Sequence, residues 1–147
     1  MPEIQTDDLL KQLIAASDIS SFLAEQQQHQ IDIPLSDFLN SLLEQKKLVK
    51  KSVIKKSELD ANYAYQLFNG HRTDPSQDIV IQLAIGMSLN LAETQKLLHI
   101  AHKPPLYVKI KRDAVIIHAI NESLDVNQTN ELLHRYQLET LSHKQSK

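Results

Sequence analysis

Cysteine is absent from the chain, and glycine occurs only twice in 147 residues. Without cysteine there is no disulfide framework and no thiolate metal site. Two glycines leave little room for a glycine-rich phosphate loop, no GxSxG or Cys–His pair occurs, and no enzymatic activity or cofactor is expected. With five prolines besides, turn residues are too scarce for a strand-and-turn β fold. Long hydrophobic runs are also missing: none approaches the roughly 20 residues needed to span a bilayer. The start, MPEIQTDDLLKQL, lacks the basic region and apolar run of a signal peptide. These absences give the expectation of a soluble, cytoplasmic protein with no membrane partner. His99 and His102 stand three apart, yet no Cys or well-placed carboxylate accompanies them, so no metal is expected.

What is present favours helices. Leu, Ile, Gln and Lys abound, all of them compatible with long helical stretches, and the expected fold class is all-α. The net charge of −2 hides a strong segregation. Met1 to Gln45 holds one Lys against eight acids, Lys46 to Arg112 holds twelve Lys and Arg against five acids, and Asp113 to Lys147 holds three against five. A basic middle between acidic flanks suits an anionic partner better than the total suggests.

Helical periodicity organises the chain, with no internal repeat expected and one low-complexity run, Glu25 to Gln30. Thr6 is positioned to cap a helix over DDLLKQLIAA, and Asp18 one over ISSFLAEQQQ. Pro34 opens a third, whose Leu35, Phe38, Leu39, Leu42 and Leu43 recur at three-and-four spacing. A short helix over KKSVIKKS, the turn ELD and a helix NYAYQLF stopped at Asn69-Gly70 follow. Thr73 or Asp74 with Pro75 is expected to open DIVIQLAIGM, and Asn90 to cap LAETQKLLHIAH with Glu93 completing a capping box. Lys103-Pro104-Pro105 ends that helix and leaves LYVKIK extended or irregular. Helices over RDAVIIHAIN and NQTNELLHRYQLETL complete the reading.

The informative stretch is Lys50 to Arg72. At about 100° per residue, Tyr63, Ala64, Leu67 and Phe68 share one arc of their helix, and Ala61, Asn62, Tyr65, Gln66 and Asn69 share the other. One arc packs and the other presents amides. Asn and Gln can both donate to and accept from an adenine edge in a major groove wide enough to admit a helix, whereas Ala61 offers a methyl contact. Asn62 and Gln66, one turn apart, are therefore candidate base readers, with Tyr65 and Ala61 beside them. Lys50, Lys51 and Lys55 on the preceding helix, and Asn69, His71 and Arg72 after the reading helix, are candidate phosphate contacts.

Leu35 to about His102 resembles the five-helix lambda-repressor-like (XRE) helix-turn-helix domain, with Lys50–Ser57 and Ala61–Phe68 in the places of its second and third helices. Tyr65 to Arg72, Glu93 to Leu98, Leu106 to Ile117 and Asn130 to Leu133 are similar to motifs of a bacterial subgroup of such regulators. Three positions depart from the pattern: Glu58 where the turn usually has Gly, Val49 where a Ser or Thr cap is usual, and Ala61 where a polar reader is common. A non-glycine residue at positive φ costs about 1 kcal/mol, which leaves the turn's conformation open.

Charge, periodicity and the resemblance together give three segments: an acidic helical extension over 1–33, the helix-turn-helix domain over 34–103, and a helical segment over 104–147. In the last, RDAVIIHAI and NELLHRYQLETL carry more apolar residues than a five-helix core needs, so they are expected to pack on that core or to dimerise. The resemblance implies a transcriptional regulator that binds double-stranded DNA sequence-specifically, here expected as a homodimer. The alternative is an adaptor that keeps this fold, binds DNA weakly or not at all, and holds a protein partner through its acidic N-terminal helices or its C-terminal helix pair.

Overall fold

The computed structural model describes residues 33–141, which belong to one unit of the chain. The two helices expected before Pro34, and the protein-partner site expected on them, lie outside the described residues. The described residues form seven helices and no strand: α1 Leu35–Lys46, α2 Lys50–Ser57, α3 Ala61–Asn69, α4 Gln77–Gly86, α5 Leu91–Ile100, α6 Lys111–Asn121 and α7 Val126–Arg135. No helix among them is long and apolar enough to cross a membrane.

α4 occupies the centre. Ile79, Val80, Ile81, Leu83 and Ala84 are all buried, so apolar residues surround this helix where a surface helix would show a stripe. It packs against α2, α5 and α7, while α1 packs against α3 and α5. α1 contributes Leu35, Leu39, Leu42 and Leu43, the stripe anticipated from spacing, with Phe38 half-buried at its edge. Lys46 of α1 pairs with Glu93 of α5 at 2.8 Å.

Scarce glycine shows at the helix ends. Lys47, Glu58, Ser88, His102, Ser123 and Gln137 all take left-handed backbone angles, with φ between 56° and 60°. After five of these the next residue's N–H returns to a carbonyl five positions back, as from Leu48 to Leu43 at 2.8 Å and from Leu89 to Ala84 at 3.0 Å. This is the usual glycine-ended helix stop, built here without glycine.

The helix starts are satisfied by side chains. Asn90 and Asp125 each accept from the third residue of the helix they cap, and Glu93 and Gln128 reciprocate, giving two capping boxes. α4 starts later than expected from Thr73, Asp74 and Pro75. Its cap is Ser76, which accepts from the N–H of Ile79 at 3.3 Å, because Asp74 is engaged by Lys103 at 2.7 Å. α7 stops at Arg135, before the YQLETL expected to continue it, since Gln137 turns left-handed and the N–H of Leu141 is held by Asn130 Oδ1 at 2.7 Å.

An internal repeat is present, contrary to the expectation of none. Asp78 to Leu98, DIVIQLAIGMSLNLAETQKLL, aligns without gaps with Asp113 to Leu133, DAVIIHAINESLDVNQTNELL, and 10 of the 21 positions are identical. The two stretches form the same hairpin, α4–α5 and α6–α7. Ser88 and Ser123 share φ 57°, and the hydroxyls of Thr94 and Thr129 donate to the cap carbonyls of Asn90 and Asp125 at 2.8 and 2.7 Å. Beyond each hairpin a buried leucine, Leu106 or Leu141, donates its N–H to the side-chain oxygen of Gln95 or Asn130. The second hairpin covers the first: Ile116, Ala119, Ile120, Val126 and Leu133 are buried, with α6 against α5 and α7 against α4.

Candidate nucleic-acid interface

Lys50 to Asn69, within the basic middle of the sequence, folds as α2, a short turn and α3, and each part is anchored from beneath. α2 lies on α4 so closely that a Cβ on Gly86 would come within 2.7 Å of the Val53 carbonyl oxygen and 3.0 Å of Ser57 Cβ. Glycine is required there for approach. One turn earlier, the buried Gln82 donates from Nε2 to the Ser57 carbonyl at 3.0 Å, while the Ser57 hydroxyl donates to the Ile54 carbonyl at 2.7 Å. The last turn of α2 is thus hydrogen-bonded without water. Glu58 then adopts φ 60° and ψ 27°, so the turn keeps the left-handed conformation that glycine would supply, and Leu59 is buried beside it.

α3 begins at Asp60, whose carboxylate accepts from the N–H of Tyr63 at 3.0 Å. Ala64, Leu67 and Phe68 are buried and Tyr63 is half-buried, which is the packed arc read from the sequence. Burial raises the Tyr63 phenol above its ordinary pKa, against the opposing charge of Arg72. The far end of α3 is held by Asn40, whose Nδ2 donates to the carbonyls of Phe68 and Ser36, each at 2.8 Å. Gly70 follows at φ 88°, with Ser36 Oγ 3.3 Å from where a Cβ would stand.

The other arc faces outward. Ala61, Asn62, Tyr65 and Asn69 are exposed and Gln66 is half-buried. Asn62 has no side-chain hydrogen bond among the described residues. Asn69 accepts from the His71 N–H at 2.9 Å, so its carbonyl shapes the following loop. His71 is exposed. Arg72 returns to α3: its N–H donates to the Gln66 carbonyl at 3.1 Å, its Nε to Gln66 Oε1 at 2.8 Å, and its guanidinium lies 5.3 Å from the Tyr63 ring centre.

The lysines divide. Lys51 and Lys55 are exposed, whereas Lys50 is half-buried with Nζ 5.3 Å from the ring centre of Phe68. Val49 precedes α2 without a side-chain cap, so the first amides of that helix keep their donors for another acceptor. Of the candidate phosphate contacts, Lys50 and Lys51 thus stand at the start of α2, Lys55 stands in its last turn, and Asn69, His71 and Arg72 stand at the end of α3, whose outer face carries the candidate base readers. Gln82, Gly86 and Asn40, which hold that face in place, are not singled out by sequence. The signal for Gln82 is a lone amide in the apolar run of α4.

Among the described residues no group of His, Asp or Glu is arranged to hold a metal ion. Comparisons with protein-family models, with curated proteins and with solved structures give no match to this chain.

Proposed function

We propose that the chain is a sequence-specific, DNA-binding transcriptional regulator of the lambda-repressor-like helix-turn-helix kind, acting in the cytoplasm as a homodimer on a two-fold related site. The observation that carries this reading is the outer face of α3. It bears Asn62, Tyr65, Gln66 and Asn69 and no acidic side chain, on a helix fixed at both ends. A helix of this width enters a major groove, and amides on its outer side reach base edges. The uncapped start of α2, with Lys50 and Lys51, supplies donors and charge for a phosphate on the flanking strand.

The testing experiment is a gel shift with genomic fragments at two salt concentrations. A regulator retards a subset of fragments, and affinity falls as salt rises because bound counterions are released. Retardation of no fragment at either salt concentration would replace this reading with the adaptor. Light scattering with and without a retarded fragment tests the homodimer, and a monomer in both states would remove it.

A further inference from the structure

The contact between Arg72 and Gln66 gives the two amides of α3 different reading abilities. Arg72 carries only donors. The side-chain oxygen of Gln66 must therefore face Arg72 Nε, at 2.8 Å, and the reverse amide orientation would set donor against donor. The contact is supported twice more, by the Arg72 N–H on the Gln66 carbonyl at 3.1 Å and by the Tyr63 ring 5.3 Å from the guanidinium. With Oε1 so placed, Gln66 turns its NH2 group away from Arg72. Arg72 uses Nε on Gln66 and retains the outer edge of its fork, Nη1 and Nη2. The pair is a row of donors.

We propose that Gln66 and Arg72 act as one specificity-determining unit that selects guanine, and that Arg72 reads a base where a phosphate contact was expected. This rests on the DNA-binding reading above. In the major groove guanine shows two acceptors, N7 and O6, whereas adenine shows an acceptor and a donor. A glutamine free at both ends pairs with adenine through both, but Gln66 has one of its oxygen's two lone pairs taken by the Arg72 cation, whose remaining donors stand beside its NH2 and favour an edge made of acceptors. Asn62, one turn earlier and without a side-chain partner among the described residues, keeps both ends and remains suited to adenine. Tyr63 is a positioning residue: its ring supports the guanidinium and contributes no base contact.

The test is selection from a randomised duplex library by the full chain, by Arg72→Ala and by Arg72→Lys, with melting curves to confirm that each is folded. The unaltered chain should enrich a site with guanine at one position per half-site, favoured by about five- to a hundredfold over adenine. Arg72→Ala should abolish that preference and raise adenine there, because the Arg72 donors are gone and both lone pairs of the Gln66 oxygen are open to an adenine amino group. Arg72→Lys keeps the charge but not the fork, and should lose the preference with little change in salt dependence. If both variants enrich the same site with the same base preferences and differ only in overall affinity, Arg72 contacts phosphate and the proposal is overturned while the DNA-binding reading stands. If the unaltered chain enriches no sequence, the DNA-binding reading falls and this proposal with it.

Discussion

Gln82, buried in α4, donates its side-chain amide to the Ser57 carbonyl at 3.0 Å and so completes the last turn of α2 from below. Its own Oε1 is buried without a hydrogen-bond partner. Removing the side chain leaves a buried carbonyl unpaired and a cavity behind, and these two costs exceed what is recovered from losing the orphan oxygen. Gln82→Ala should destabilise the fold by about 2–4 kcal/mol, measured by denaturant melts. Gln82→Leu, which restores volume but not the bond, should fall between Gln82→Ala and the unaltered chain.

Gly86→Ala should also destabilise, by about 1–3 kcal/mol, even though alanine is the better helix former. The added carbon meets the Val53 carbonyl at 2.7 Å, a backbone atom that cannot rotate away. The equivalent residue of the second hairpin is Asn121, so the same test at that position, Asn121→Ala, should change stability by less than about 0.5 kcal/mol. Equal melting curves for Gly86→Ala and the unaltered chain would mean that α2 does not press on α4.

Acid should weaken the chain partly through Glu93. The hydrogen bond from Lys46, and then the N–H of Asn90, hold its carboxyl below the ordinary value of 4.5. A lowered folded-state pKa contributes stability that is fully present above the unfolded value and is lost as pH falls through the folded one. Glu93→Gln keeps the capping box, as Gln128 does in the second hairpin, and loses the ion pair. Stability near neutral pH should drop by no more than about 1 kcal/mol, and the two proteins should converge below the folded pKa. A constant difference across an acid series of melts would contradict this assignment.

Replacing Lys50 and Lys51 by alanine should weaken binding to all DNA sequences alike. The slope of log affinity against log salt should flatten by up to about one to two units. The Lys50 change also removes the contact with the Phe68 ring, so its melting temperature must be followed in parallel. Unchanged affinity and slope would place the phosphate contact elsewhere.

Asn62→Ala should reduce affinity for a selected site by about 1–3 kcal/mol and leave non-specific binding nearly untouched. Asn62 is exposed, so stability should shift by no more than about 0.5 kcal/mol. Binding of the selected site at unaltered strength would show that α3 does not read bases through this residue.

Much of this arrangement is legible locally because burial follows the helical period. The division of α3 into Ala64, Leu67 and Phe68 against Ala61, Asn62 and Tyr65 is such a case, as is the Asn90–Glu93 capping box. What escapes is set by partners distant in sequence. Asp74 reads as a helix cap until Lys103 takes its carboxylate, and Leu138 and Leu141 read as a helical continuation until Asn130 holds the Leu141 N–H. Arg72 reads as a phosphate contact beyond α3, whereas Gly70 lets the chain reverse and bring it onto Gln66, a turn-back that no period reveals. The repeat is hidden for another reason. Periodicity compares a residue with its neighbours one turn away, and half of the paired positions have diverged, among them Gly86 with Asn121 and Gln82 with Ile117.

The duplicated hairpin packs on its sister as neighbouring units do in a stack of repeats. In such stacks each unit needs a neighbour on its apolar side, and the last unit must present polar residues outward. In α7 the burial follows this rule: Val126, Thr129 and Leu133 face inward, while Asn127, Gln128, Glu131 and His134 face solvent. It keeps the turn and the caps of its sister hairpin but not Gly86 or Gln82, the two residues that seat α2. The copy beneath α2 is thereby a socket, and the copy packed on it is a cover.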